Sequence, residues 1–457
     1  MRNDANTANT MVDVVDENPD PEAAKGYRRV LMSSFLGSAI EYYDFLLYAT
    51  AATLVFGPLF FQGQSQAVAL LLSFATFAVG YIARPLGGII FGSLGDRIGR
   101  KTSLFTTMLM MGIASTAIGL LPTAASIGAL APILLVIVRI VQGLAVGGEW
   151  GGAALMALEH APKQKRGFGA SMANMGGPAG GVLAVVVYSA FAAMPEEQFM
   201  SWGWRIPFLL SAVLVAFGLF VRMKVAESPV FVAAQKRSEG GTKSSATILV
   251  VLRKYPRAVA YAATAVVGAL VFQTFFTTFA ISITTNTGMS ATAGLLCKGF
   301  GSLVNIFAIA FFAHLSDRVG RRRVLIIGSV ACMIAAYPLI MLFASGNLAV
   351  VLFGFALGNI VQASIYGPVA AYVSELFETR TRNTGAGVSY QLGAIIGGFT
   401  PLVATSLWQF GKANVATTGW AQFSPVGLYL IAGCLVTLVS VSLGKETKNK
   451  SLDEVAA

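Results

Sequence analysis

The chain is predicted to be an all-α membrane protein with twelve transmembrane helices in two six-helix, pseudo-symmetric bundles. Three observations predict this. Apolar residues make up 55% of the 457 residues and charged residues only 12%. The apolar residues gather into twelve long runs. Charged motifs recur between those runs at a fixed offset. A soluble chain carries about 25% charged residues, and one with a mean hydropathy of +0.70 could not cover its surface. This excludes an ordinary soluble enzyme, a disordered protein and a secreted disulfide scaffold. The net charge of +11 would suit nucleic acid. However, the basic residues lie in short stretches between apolar runs, which is how membrane topology is written. The expected partners are therefore the lipid bilayer, a small-molecule substrate and protons, with no nucleic acid. Cys297, Cys332 and Cys434 lie inside apolar runs without CxxC spacing and read as buried small apolar residues.

Residues 1–29 form an acidic tail expected to be disordered, with neither the basic start nor the apolar core of a signal peptide. The apolar runs follow at 30–56, 67–94, 102–121, 130–157, 167–193, 204–222, 257–280, 290–315, 324–345, 347–374, 384–410 and 424–443. A span needs about 20 mostly apolar residues. These runs are continuous rather than alternating, so they are helices and not barrel strands. An even number puts both termini on one side. That side collects 27 of the 32 Lys and Arg residues, while Arg205 and Lys412 fall on the other. The asymmetry predicts a multi-pass protein with both termini cytoplasmic. The longest interior loop, 223–256, separates an N-terminal bundle (30–222) from a C-terminal one (257–443), with a tail at 444–457.

A repeat supports that division. Gly92-Ser-Leu-Gly-Asp96-Arg97-Ile-Gly99-Arg100 follows the second run, and His314-Leu-Ser-Asp317-Arg318-Val-Gly320-Arg321 follows the eighth, at an offset of 221. Glu159 precedes Arg166 by seven residues after the fourth run, and Glu375 precedes Arg382 by seven after the tenth. Matching inner loops in two halves are what a rocking transporter is built from.

The duplicated loop motif resembles the signature of the major facilitator superfamily. Other segments resemble its metabolite:proton symporter branch, and within it the shikimate-transporter-like members. They are Glu41-Tyr-Tyr-Asp44-Phe, Ala83-Arg84-Pro85, Arg139-Ile-Val-Gln142-Gly143, Gly147-Gly148-Glu149-Trp150-Gly151-Gly152 and Trp202-Gly-Trp204-Arg205. The resemblance runs from about Lys25 to Thr447. It implies proton-coupled uptake of a small polar carboxylate or zwitterion by alternating access, a monomer, no enzymatic activity and no cofactor beyond the proton gradient. It also implies that Arg139 senses both proton site and substrate, and that the loop motifs latch the cytoplasmic side. In those latches Asp96 and Asp317 would cap neighbouring helices, and the arginines would hold Glu159 and Glu375. Gly92, Arg97, Gly99, Arg100, Arg166, Arg318, Gly320, Arg321 and Arg382 complete the gating set. Two departures stand out. Ser374-Glu375-Leu376-Phe377-Glu378 lacks both prolines of the usual second-half motif, which predicts a less sharply broken span 10. Lys298 lies outside the branch pattern.

Six ionisable residues lie well inside runs: Glu41, Asp44, Arg84, Arg139, Glu149 and Lys298. Each costs about 2.5–3.5 kcal/mol at the bilayer centre, so all must face the bundle interior, paired or beside water. Glu41 and Asp44 are three apart and share a face, continued by Tyr48. Two adjacent carboxylates cannot both ionise cheaply, so one keeps a proton. Asp44 and Arg84 lie at similar depths, about 20 and 17 Å from the inner edge, which predicts that Arg84 meets the Glu41/Asp44 pair. Arg139 and Gln142 share a face suited to a carboxylate. Glu149, about 15 Å deeper toward the cytoplasm, reads as a structural, gating or proton-carrying carboxylate. Lys298 is expected to face the cavity from the second half and favour an anion. Gln273, Thr274, Asn305, Asn359, Gln362, Tyr366, Tyr390 and Gln391 are the neutral polar candidates there. No nucleotide loop, catalytic triad or metal set is visible. Two other readings stay open: a symporter of zwitterionic osmolytes such as proline or betaine, and a proton antiporter or efflux carrier.

Overall fold

The computed structural model describes residues 21–228, 230–232, 248–379 and 381–448. No strand occurs among them. Twelve long helices dominate: α1 (Pro21–Leu54), α2 (Gln66–Ile98), α3 (Arg100–Leu120), α4 (Leu130–His160), α5 (Arg166–Ala192), α6 (Ile206–Met223), α7 (Pro256–Asn286), α8 (Ala291–Val319), α9 (Arg321–Phe343), α10 (Leu348–Glu375), α11 (Arg382–Asn414) and α12 (Ser424–Leu443). Eleven segments are long and apolar enough to cross a membrane by length and composition. The twelfth, α1, is the longest helix, but Glu41 and Asp44, with its serines and tyrosines, dilute its apolar character. The tail expected over 1–29 is corrected in its last third. Residues 1–20 lie outside the described residues, but α1 already runs from Pro21, extended by good helix formers through Lys25.

The two halves repeat one packing scheme. Helix α2 packs on α4, α3 on α4 and α6, and α1 on α5. In the second half α8 packs on α10, α9 on α10 and α12, and α7 on α11. Small residues set the closeness. A Cβ on Gly180 would stand 2.1 Å from the Ala39 carbonyl oxygen, so α5 and α1 touch backbone to backbone there. The halves meet along α2–α11 and α5–α8, a pair related by the same internal symmetry. Two helices are interrupted. Phe275–Phe279 of α7 is π-helical, and α11 divides into Arg382–Gly398 and Thr400–Asn414. Despite its missing prolines, α10 still ends at Glu375.

The duplicated motif, expected as loops, is a helix–glycine–helix joint. Asp96 and Arg97 lie in the last turn of α2, Asp317 and Arg318 in that of α8, and Arg100 and Arg321 open the next helices. Between them Gly99 and Gly320 take φ of +108° and +114°, a region open essentially to glycine alone. Each joint receives a carboxylate. Glu227 accepts from the Arg100 and Lys101 amides at 3.1 Å each, and Glu446 from those of Arg321 and Arg322 at 2.9 and 3.1 Å. Part of the 223–256 linker is therefore a structural cap, and Ile248–Lys254 is helical. Residues 233–247, with the Gly240-Gly241 stretch, lie outside the described residues.

A Cβ on Gly99 would also stand 2.2 Å from Glu227 Oε2. Gly99→Ala is expected to destabilise the purified protein by about 1–3 kcal/mol and lower its melting temperature. Gly26→Ala, with nothing within 4 Å of the added methyl, is expected not to lower it. Equal melting temperatures for the two variants would contradict this account of the joint.

Candidate functional site

Helix α1 presents two polar faces. Tyr42, Phe45 and Leu46 look into a cavity of about 110 Å³ between the halves. Glu41, Asp44 and Tyr48, on the other face, are buried inside the N-terminal half. The sequence stripe through 41, 44 and 48 is real, but it points away from the cavity.

From the first half the cavity is lined by Tyr42, Phe45, Tyr81, Arg84 and Pro178, and from the second by Gln273, Thr274, Thr277, Lys298, Ser302, Asn305, Asn359, Gln362 and Tyr390. The Arg84 guanidinium lies 4.5 Å from the Phe45 ring centroid and 4.4 Å from that of Tyr81. These aromatic faces support the cation and leave its N–H groups for the cavity. Lys298 Nζ donates to the Thr277 carbonyl at 3.0 Å, inside the π-helical stretch of α7. Neither cation has an ion-pair partner among the described residues, and no lining residue is acidic. Asn305 donates to Gln362 Oε1 at 3.0 Å and to the Asn359 carbonyl at 2.9 Å. Tyr366 stands just behind the wall, its hydroxyl 3.2 Å from that of Tyr390. Phe275, Phe276 and Phe279 are buried, and Phe276 also forms part of the cavity wall.

Three expectations need correction. Arg84 does not pair with Glu41 or Asp44. The helix phase turns its guanidinium onto the Phe45 and Tyr81 rings instead. Arg139 and Gln142 do not line the cavity either. Arg139, 2% exposed, lies 4.1 Å from the Tyr48 ring centroid and donates to Gln142 Oε1 at 3.1 Å. Gln142 in turn donates to Ser115 on α3 at 2.8 Å. Tyr48 donates to Thr76 at 2.6 Å and is equally remote from the cavity.

The buried faces of four helices form a charged column inside the first half. Asp44 accepts from Ser211 on α6, with Ser115 beside it and Arg139 the cation acting on it. Glu41 makes no hydrogen bond or ion pair among the described residues. The charges acting on it are Glu149, Arg84 and Arg222. Glu149 pairs with Arg222 at 2.7 Å and accepts from Thr107 at 2.6 Å. Arg222 reads from sequence as a loop cation, but it is 2% exposed in the last turn of α6 and also donates to the Leu104 carbonyl at 2.6 Å. Only the polar spacing Ser211 to Arg222 along α6 could have signalled this.

Below the cavity the halves are latched. Asp96 on α2 accepts from the Asn383 and Thr384 amides at the start of α11, at 3.3 and 2.9 Å. Asp317 on α8 accepts from the Gly167 and Phe168 amides at the start of α5, at 2.8 and 2.9 Å. Each half thus caps a helix of the other. Arg100 bridges Asp96 and Glu159 at 3.5 Å each, Arg382 reaches Glu159 at 3.1 Å, and Arg321 holds Asp317 at 2.8 Å and Glu375 at 3.4 Å. Arg166 adds its charge beside Glu375. Ser228 and Thr447 complete the symmetry by donating to Glu159 and Glu375. A Cβ on Gly92 would stand 2.9 Å from the Thr384 Cα, so α2 and α11 touch there. Arg97 and Arg318 are exposed and stand outside the latches. Between latch and cavity, Trp150 stacks on Tyr390 at 3.6 Å, and Gln391 donates to the Gly147 carbonyl at 3.2 Å.

The chain belongs to the Major Facilitator Superfamily, which it matches over residues 34–401. It is 41% identical to the shikimate transporter of Escherichia coli (strain K12), over 92% of this chain and 95% of that one. It is 31% identical to the proline/betaine transporter of the same organism, over 93% of this chain and 85% of that one. Among solved structures, the proton:xylose symporter XylE superposes with a TM-score of 0.76 at 19% identity, over 94% of this chain and 98% of that one. The Escherichia coli fucose:proton symporter FucP gives 0.66 at 15%, over 94% and 100%. These structures share the fold.

If the crossed caps close this face, Asp317→Asn is expected to raise hydrogen exchange at the start of α5 and Asp96→Asn at the start of α11. The increase should be about tenfold, because a charge-assisted hydrogen bond contributes about 1.5–3 kcal/mol. Unchanged exchange in both segments would contradict the assignment.

Proposed function

We propose that this protein is a proton symporter that takes up a small polar carboxylate, such as shikimate or a related organic acid, by alternating access. It is read as a transporter and not an enzyme, driven by the proton gradient without a cofactor. Its location is read as a bacterial inner membrane, with both termini cytoplasmic and the chain working as a monomer. The observation that carries the reading is the cavity lining: one cation from each half, Arg84 and Lys298, neutral amides and hydroxyls between them, and no carboxylate. An anion placed there would find a planar fork on one side and an ammonium on the other. A hydroxylated ring would meet Gln273, Asn305, Asn359, Gln362 and Tyr390. The relative of 41% identity being a shikimate transporter supports the same cargo class.

A zwitterionic osmolyte suits the lining less well. Its cationic end would need a carboxylate or a cage of aromatic faces, yet no lining residue is acidic and Arg84 already covers Phe45 and Tyr81, which leaves Tyr42 and Phe276 against a cavity that carries two cations. On this reading the buried Glu41 and Asp44 hold the coupling proton, with Arg139 beside Asp44. The latches would close the cytoplasmic side while the cavity takes cargo. A monoanion entering with one proton is electroneutral, so the pH difference alone would drive it, about tenfold accumulation per pH unit. A neutral cargo would also feel the potential, about 2.3 kcal/mol per 100 mV.

In proteoliposomes with an imposed pH gradient, labelled shikimate or a related acid is expected to accumulate, whereas proline and betaine are not. Lys298→Ala is expected to raise KM for the acid by about tenfold, from loss of one charge-assisted hydrogen bond. Expulsion of the acid would indicate an antiporter, and preferential uptake of betaine would indicate the osmolyte reading.

A further inference from the structure

The column inside the first half ends where a proton would have to leave. Its upper tier is Asp44, Ser211 and Ser115, and its lower tier is Glu149, Arg222 and Thr107, with Glu41 between them. Four helices build it at helical spacing: 41 and 44 on α1, 107 and 115 on α3, 142 and 149 on α4, 211 and 222 on α6. None of Asp44, Glu41, Glu149 or Arg222 lines the cargo cavity. Glu41 and Glu149 instead share a separate small crevice with Thr107, walled by Ile40, Met108, Met111 and Val215. Gly37 makes room for the pair, since a Cβ there would stand 2.3 Å from Arg222 Nη2 and 2.9 Å from Glu149 Oε1.

We propose that the coupling proton leaves through this half, from Asp44 by way of Glu41 to Glu149, where it displaces Arg222, while the cargo leaves through the cavity between the halves. This rests on the symport reading. The transfers balance. Asp44 as the acid gives its proton to the Glu41 carboxylate, and Glu41 then gives it to the Glu149 carboxylate, each donor becoming a carboxylate in turn. Neutral Glu149 no longer attracts Arg222, and it loses the proton to water on the cytoplasmic side, after which the Glu149–Arg222 pair re-forms. Glu149 faces Glu41 from α1, Thr107 from α3 and Arg222 from α6, and no other charged group enters that crevice among the described residues. Arg222 sits in the last turn of α6, on the latched side, so its release uncovers a way out. The adjacent residue, Trp150, stacks on Tyr390 at the cavity floor. Movement of α4 on losing the ion pair therefore reaches the barrier beneath the cargo. Glu149 carries the proton and Arg222 is a positioning residue for it, and neither lines the cargo cavity.

The test compares two fluxes of labelled shikimate in proteoliposomes: accumulation driven by an imposed gradient, and equilibrium exchange with none. Exchange needs the cavity to alternate but not the proton to be released. Over a gradient of about one pH unit a one-proton symporter of a monoanion accumulates about tenfold. For Glu149→Gln the ratio of driven accumulation to exchange is expected to fall by about that factor. Since that variant leaves Arg222 without its partner, Glu149→Gln with Arg222→Gln provides a neutral hydrogen-bonding pair in its place, and the same fall is expected. A ratio equal to wild type, or loss of exchange together with accumulation in both variants, would overturn the inference and leave the pair a structural brace. Failure of the wild type to accumulate shikimate would instead count against the symport reading.

Discussion

An ionisable side chain cannot be left alone in hydrocarbon, and most of this structure follows from that constraint. Glu149 and Arg222 are buried together, and α3, α4 and α6 close around them. Arg139 has no ion-pair partner among the described residues and spreads its charge over three aromatic faces, those of Phe45, Tyr48 and Phe77. Gly80 lets that guanidinium lie against α2, where a Cβ would stand 2.5 Å from its Nε. The latches obey the same constraint. Asp96, Arg100, Glu159 and Arg382, with their counterparts Asp317, Arg321 and Glu375, are almost wholly buried. Removing one member of such a pair costs about 3–5 kcal/mol, because its partner is left buried and uncompensated. Charges so placed are poised to hold one arrangement firmly and to change it when a proton or an anion alters the balance.

The two halves use their polar residues differently. The first half carries the acids, sealed inside its own helices, and contributes one arginine to the cavity. The second half offers amides, hydroxyls and one lysine at the cavity wall. In the proposed cycle, proton and cargo are therefore handled in separate compartments that share α1 and α4. Helix α1 turns Asp44 inward and Phe45 outward, and α4 turns Glu149 inward and Trp150 toward the seam. One helix rotation can be felt in both places, and that is how a proton could govern a cavity it does not enter.

The sequence disclosed the architecture because hydropathy and charge placement act over whole helices. The twelve runs, the six-and-six division and the duplicated motif all correspond to structural features, and the caps by Asp96 and Asp317 fall on helices of the opposite half. What stayed hidden depended on helix phase and on tertiary partners. Glu41, Asp44 and Tyr48 were legible as a stripe, but a stripe does not say which neighbour it faces. Equal depth suggested that Arg84 meets them, while Phe45 and Tyr81 took that guanidinium instead. Arg222 looked like a loop charge because it ends an apolar run. Glu227 and Glu446 lie 219 residues apart, beside the 221 of the motif itself, and their partnership with Gly99 and Gly320 emerges only when the joints are formed. The π-helical stretch that exposes the Thr277 carbonyl to Lys298 leaves no mark in the pattern of apolar residues.

The central claim is that a proton carried on the first-half acids enters with each molecule of an anionic cargo held between Arg84 and Lys298. Its most direct test records both fluxes at once, with a pH-sensitive dye inside proteoliposomes and labelled shikimate outside. The account requires internal acidification in step with uptake, one proton per anion, and loss of that acidification in Asp44→Asn. Uptake of the acid with no proton movement, or unaltered proton movement in the variant, would contradict it.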